Sequence, residues 1–323
     1  MGADRFPRLL GDVGGTNARF AWQAGRGEPV TAVASYPCVQ HADLHSAIRY
    51  YLHQHGKPAP RECAIGIANP VTGDAVRMTN HHWSFSIAAL QRDIGVQRLS
   101  VINDFTALAL ALPTLPPGDL QPIGGGQAVA GAPLALVGPG TGLGVSGLLP
   151  APGNSLVPIN GEGGHITLAA GNDNEDAAVW LLRKRFGHAS AERALSGPGL
   201  VSLFDVACEM ADEPSRPLTP AEVIDLARSQ RDAQCATAVQ LFCSFLGSVA
   251  GNLALTLGAR GGVYIGGGIA PRLLAELAGS AFRERFEQKG RFRDYLAGIP
   301  TVVICAEVSP AFAGAARSLD LAT

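Results

Sequence analysis

Charge is scarce in this 323-residue chain. Asp, Glu, Lys and Arg together make up 16% of it and nearly cancel, to a formal net charge of −2. With no basic excess, nothing in the composition draws it to nucleic acid or to an acidic membrane surface. Aromatic residues are few, at 6%, yet the apolar fraction of 47% is that of a well-buried globular protein. The six cysteines, Cys38, Cys63, Cys208, Cys235, Cys243 and Cys305, form no C-x-x-C pair and no Cys/His run with zinc spacing. No signal-peptide pattern opens the sequence, so scattered reduced thiols in a cytoplasmic protein are expected. The one long apolar stretch, residues 234–259, carries Gln240, Ser244, Ser248 and Asn252 at every fourth position. Val239, Phe242, Leu246, Val249 and Leu253 take the opposite face, which predicts an amphipathic core helix and no membrane span.

Glycine is what the chain has in excess: 40 of 323 residues, about 12% against a usual level of roughly 7%. The glycines cluster at the ends of apolar runs. In "LLGDVGGTNARFAW", residues 9–22, a dinucleotide-binding or Walker A loop would open a helix at the glycines. Instead Ala18, Phe20 and Trp22 alternate with Arg19 and Ala21, and no G-x-x-x-x-G-K-[ST] is present. The stretch therefore predicts a β-hairpin with a glycine tip, and Val30–Tyr36 supplies a third strand. "LALVGPGTGLGVSGLL", residues 134–149, repeats the logic and suggests two related halves. Hairpins use glycine for positive φ alone. Two tips that each carry Gly-Thr also suit a grip on a polyphosphate from two sides. Asp12, just before the first tip, has two readings: a water-mediated Mg²⁺ ligand, or an Asx-type contact with the local backbone.

Further polar islands follow. "LSVINDFTALALALP", residues 99–113, reads as a buried strand, then Asn103-Asp104, then a short helix stopped at Pro113. Asp104 is either that helix's cap or a site carboxylate at a strand's C-terminal end, where a helix N-terminus keeps it charged. Such a weak base suffices for phosphoryl transfer, which rests mainly on positioning and charge neutralisation. "NGEGGHITL" presents Glu162 and His165 around two glycines, and "GHASAERALSGPGL" presents Glu192, which taken alone is a surface helix residue. Asn, Asp, Glu and His together suit the paired hydrogen bonds of a sugar's vicinal hydroxyls. "GGVYIGGGIAPRLL" is a strand, a triple glycine and a helix with Pro271 in its first turn.

In this order the islands resemble the bacterial glucokinase family, in the branch typified by the enterobacterial enzyme. "GDVGGTNARF", "IANPVTGDAVRMTNHHWSFS", "INDFTALALA", "GPGTGLGV", "GEGGH", "SAERALSGPGLV", "YIGGGIAPR" and "KGRF" all take part, from about residue 9 to the C-terminus. The resemblance implies a two-domain actin/hexokinase-like (ribonuclease H-like) α/β fold, with mixed sheets flanked by helices and the active site in the interdomain cleft. It implies Mg-ATP-dependent phosphorylation of D-glucose at the 6-hydroxyl, the first step of glycolysis. Asp104 matches the family's catalytic base and sugar contact; Asn103, Glu162, His165 and Glu192 match its other sugar ligands. Gly11, Asp12, Val13, Gly14, Gly15 and Thr16 match the first phosphate loop, and Gly140, Thr141 and Gly142 the second. Gly267 and Gly268 match the adenosine-side loop.

A small domain of residues 1–113 plus 310–323 and a large one of 114–309 are expected, and the family suggests a homodimer. The related repressor/sugar-kinase (ROK) family carries a C-x-C-G-x-x-G-C zinc cluster. None occurs near His165, so a zinc-free branch is expected. A sugar-sensing repressor on this fold needs an N-terminal helix-turn-helix of roughly 60–80 residues. The first phosphate motif stands at residue 11, so no such module is expected. A kinase for another hexose, or one using polyphosphate, remains open.

Overall fold

The computed structural model describes residues 5–321. The chain divides into two compact units: Met1–Pro116 with Ala306–Thr323, and Pro117–Cys305.

In the first unit, β1 (Arg8–Val13), β2 (Asn17–Gln23) and β3 (Thr31–Pro37) form an antiparallel meander; β4 (Glu62–Ile67) and β7 (Arg98–Asn103) extend it in parallel, in the order β3-β2-β1-β4-β7. Residues 8–13 and 62–67 are buried throughout, as befits strands covered on both faces. Between β4 and β7 a small hairpin pairs β5 (Ala75–Arg77) with β6 (Ser84–Ser86). One face of the main sheet packs Leu9, Phe20, Cys63 and Ile65 with Leu44, Ile48, Tyr51 and Leu90 from α1 (Leu44–Gln54) and α2 (Ile87–Ile94). On the other, Leu10, Ala21 and Ala64 meet Phe312, Ala315 and Leu319 of the C-terminal segment, whose helix is Ala311–Ser318. Buried Arg8 fastens that segment, donating to Glu62 at 2.9 Å and to Asp320 at 2.7 Å. Arg98 donates to the Leu319 carbonyl at 2.8 Å. After β7 comes α3 (Asp104–Ala111).

The second unit repeats the plan. β9 (Leu134–Pro139), β10 (Leu143–Ala151) and β11 (Ser155–Pro158) form the meander; β12 (Val263–Ile265) and β13 (Thr301–Ile304) extend it in parallel, and β8 (Leu120–Pro122) closes the edge antiparallel. The two meanders and their parallel extensions have the same strand order, which the two glycine-tipped hairpins had suggested. The unit's helices are α4 (Asp173–Phe186), α5 (Gly197–Met210), α6 (Pro220–Arg228), α7 (Ala233–Leu257), α8 (Leu274–Gly279), α9 (Phe282–Glu287) and α10 (Arg293–Ala297).

Residues 233–257, long and apolar enough to cross a membrane, are instead a core helix: 72% of the most apolar window is buried in the protein. The expected polar stripe survives only in part. Gln240 is exposed, but Ser248 is buried. The reason is that Gly247 and Gly251 let α9 lie directly on α7, where a Cβ would overlap the Phe282 and Phe286 carbonyls.

All six thiols are free; five are buried and Cys305 is half-buried. Burial raises the pKa of each thiol, with Asp119 adding to the effect at Cys305. Because the thiolate is the reactive form, Ellman's reagent is expected to titrate Cys305 slowly in native protein and all six thiols after denaturation. Rapid native labelling of several thiols would contradict this packing.

Candidate active site

In the first unit the candidate residues gather at the C-terminal ends of the parallel strands. The parallel register sets Val13 beside Ile67 and Ile67 beside Asn103, so the first glycine tip and Asn103 are two strands apart, about 10 Å. Gly66 sits between them: a Cβ there would lie 3.5 Å from Asp104 Cα and 3.8 Å from the Gly11 carbonyl oxygen. The tip is short and tied. Gly14 N–H donates to Asn17 O at 2.9 Å, and Cys38 N–H to Thr16 O at 2.8 Å.

Asn103, not Asp104, is the helix cap. Its Oδ1 accepts the Phe105 and Thr106 N–H groups at 2.9 and 3.1 Å, which commits that oxygen and leaves the amide NH₂ as its donor to a ligand. Asp104 is the first residue of α3, half-buried, and its Oδ1 accepts the Phe105 N–H at 2.9 Å. Both that bond and the helix N-terminus direct backbone N–H groups toward the carboxylate.

Asp12 has a partner that neither reading of the sequence named. It faces Arg19 directly across the hairpin, and Arg19 Nη1 donates to its Oδ2 at 3.2 Å. Among the described residues no cluster of three or more His, Cys, Asp or Glu could cage a metal. A single carboxylate whose Oδ1 meets no partner among the described residues is nonetheless a donor set that suits Mg²⁺, which keeps most of its water beside phosphates.

A segment to which the sequence gave no role flanks this tip. A Cβ on Gly15 would come within 2.8 Å of Asn80 Cβ and 3.0 Å of its carbonyl oxygen. Buried Asn69 braces the segment, its Oδ1 accepting both the N–H and the hydroxyl of Thr79 at 3.0 and 2.8 Å. Trp83 Nε1 donates to His41 O at 3.1 Å. Next to Asn80, neither ring nitrogen of His81 meets a hydrogen-bond partner among the described residues. Desolvation, then the neighbouring His82, lowers the pKa of His81, which favours its neutral ring. The stretch "NPVTGDAVRMTNHHW" holds these residues, but their contacts depend on chain reversals between β4 and β6 that no local pattern marks.

In the second unit the candidates converge on one backbone residue, Leu143. Its N–H donates to Glu192 Oε2 at 2.9 Å. Its carbonyl packs so tightly on Gly164 that no side chain fits there, and Gly164 lies within the Glu162–His165 turn, closed by His165 N–H to Glu162 O at 3.0 Å. Glu162 and His165 are themselves exposed. Glu192, which alone would read as a surface helix residue, lies half-buried in a short 3-10 turn at residues 191–193.

The second tip closes on itself through Gly140 N–H to Gly142 O at 2.8 Å, and Gly197 N–H holds the Gly140 carbonyl at 2.8 Å. The Gly267-Gly268 loop docks beside it. Gly266 N–H donates to Val137 O at 2.9 Å and Ile269 N–H to Pro139 O at 3.2 Å. Phosphate-loop, adenosine-loop and sugar candidates of this unit therefore share one end of its sheet, where β9 and β12 finish and β10 begins.

The family model described as Glucokinase matches residues 9–322. A glucokinase of Aromatoleum aromaticum is 55% identical over 98% of this chain and 96% of its own length. One of Cupriavidus metallidurans is 50% identical over 97% and 93%. A crystal structure of a glucokinase from an Antarctic psychrotroph, 35% identical, superposes with a TM-score of 0.87 over 97% of this chain and 98% of that one. The match spans both units and every candidate residue, and the chain belongs to the glucokinase family.

Proposed function

We propose that this protein transfers the terminal phosphoryl group of ATP to the 6-hydroxyl of D-glucose, giving glucose 6-phosphate and ADP. The observation that carries the mechanism is the placement of Asp104 as the first residue of α3, next to a cap that is itself a candidate sugar ligand. The sugar's O6 attacks the phosphorus as the Asp104 carboxylate takes the O6 proton, and the bond to the bridging oxygen of ADP breaks. The Asn103 amide donates to the sugar, while Glu162, His165 and Glu192 bind its remaining hydroxyls. Backbone N–H groups of Gly15, Thr16, Thr141 and Gly142, with the hydroxyls of Thr16 and Thr141, hold the phosphates. Gly267-Gly268 lets the nucleoside approach the backbone. Asp12 would hold Mg²⁺ through a bound water, and the ion supplies charge neutralisation on the phosphates. A homodimer, as the resemblance implies, is checked by light scattering.

The test is a coupled assay of the purified protein against a panel of hexoses with Mg-ATP and polyphosphate as donors. Preference for glucose with ATP is expected; a larger kcat/KM for another hexose or for polyphosphate would replace the substrate assignment. A variant examines the first tip. Gly15→Ala forces the tip away from Asn80, a shift of the kind that costs about 1–3 kcal/mol. The KM for ATP is therefore expected to rise roughly tenfold, with an unchanged glucose Kd measured without nucleotide. An unaltered KM for ATP would remove Gly15 from the phosphate grip.

A further inference from the structure

Glu192 is built into the second glycine tip, and we propose that it passes occupancy of the sugar site to the nucleotide's phosphate grip. The inference rests on the reading above in one respect, that Glu192 binds sugar and the tip binds phosphate. Three contacts carry it. Glu192 Oε2 accepts the Leu143 N–H at 2.9 Å, the first amide beyond Gly140–Gly142. The same carboxylate fills the space of the missing side chain on Gly142: a Cβ there would overlap Oε2 and lie 3.3 Å from the carboxyl carbon. From the other side, Gly197 N–H holds the Gly140 carbonyl at 2.8 Å, and Ser196 Oγ donates to the Glu192 carbonyl at 2.8 Å. Residues 192–197 thus grip the tip by both its ends.

A carboxylate has two oxygens. One is committed to the tip, so a sugar hydroxyl engaging Glu192 draws on the same group that positions the tip's amides. No slack separates them, because Gly142 already touches the carboxylate. Orienting the carboxylate for a sugar therefore orients Leu143 N–H, and a phosphate seated on the tip orients the carboxylate in return. Linkage makes the effect reciprocal: glucose and nucleotide must tighten each other's binding by the same factor. Glu192 is in this sense a positioning residue for the nucleotide as well as a sugar contact.

Calorimetric titration with the β,γ-imido analogue of ATP, with and without glucose, tests the proposal. In the wild-type protein glucose is expected to tighten analogue binding at least about fivefold, within the usual range of such couplings. Glu192→Ala should lose that coupling and bind the analogue roughly tenfold more weakly even without sugar. Glu192→Gln keeps an acceptor for Leu143 N–H and should retain analogue affinity while losing affinity for glucose. Gly142→Ala supplies an arm that keeps residue 192 a glutamate: by displacing its carboxylate it should weaken glucose binding measured without any nucleotide. Wild-type affinity of Glu192→Ala for the analogue alone, or of Gly142→Ala for glucose alone, overturns the proposal. Wild-type protein that binds neither ligand overturns the functional reading beneath it.

Discussion

Asp104→Asn is expected to lower kcat by about 10²–10⁴-fold, the usual contribution of a positioned general base. Glucose affinity should stay within a few fold of wild type. The asymmetry follows from the local structure. Asn103 provides the cap of α3, so an amide at position 104 leaves the helix start intact and keeps a hydrogen-bonding group of the same shape. What it loses is the ability to take a proton from O6, which matters only as the phosphoryl group moves. A fall in kcat with the glucose Kd and the melting temperature preserved marks an interaction made only in the transition state. Turnover within tenfold of wild type would remove Asp104 from the role of base.

Gly314→Ala is expected to destabilise the protein by about 3 kcal/mol or more, the upper end for an overpacked core. Helix propensity alone argues the opposite, since alanine is favoured over glycine in a helix by about 1 kcal/mol. The steric effect wins, because a Cβ at 314 would overlap the carbonyl oxygen of Ala107 in the middle of α3. Ala107 is itself packed against β4. On its other side a Cβ placed on Gly66 of β4 would already lie 3.2 Å from its side chain. The helix beginning with Asp104 is thus clamped between β4 and the C-terminal helix, which is how a residue near the end of the chain fixes the candidate base. A fall in melting temperature of roughly 10 °C is expected for a unit of this size. A melting temperature equal to or above wild type would show that the two helices are not in contact at Gly314.

The residues bear this out unevenly. Ala18, Phe20 and Trp22 revealed the first hairpin because period-two alternation is a local property, and the second was legible from two apolar runs flanking a Gly-Thr tip. The Asp12–Arg19 pair became readable only once the tip's length set the register, which places the two residues opposite each other. The Glu192–Leu143 bond was not legible at all. It joins residues 49 apart through a backbone N–H, a group that every non-proline residue carries. Ser248 was misplaced because periodicity describes one helix's own faces and cannot see α9 arriving over Gly247 and Gly251. Asn69 and His81 sat inside a quoted motif, but their contacts come from tertiary folding of a turn-rich segment.

The central claim, phosphoryl transfer from ATP to O6 of glucose by this chain, is tested most directly by phosphorus NMR of the purified protein incubated with glucose, ATP and Mg²⁺. A new phosphomonoester resonance, coupled to the two C6 protons of glucose and growing in step with ADP, is expected. Formation of ADP with inorganic phosphate alone, or a phosphomonoester coupled to a proton on another carbon, would contradict it.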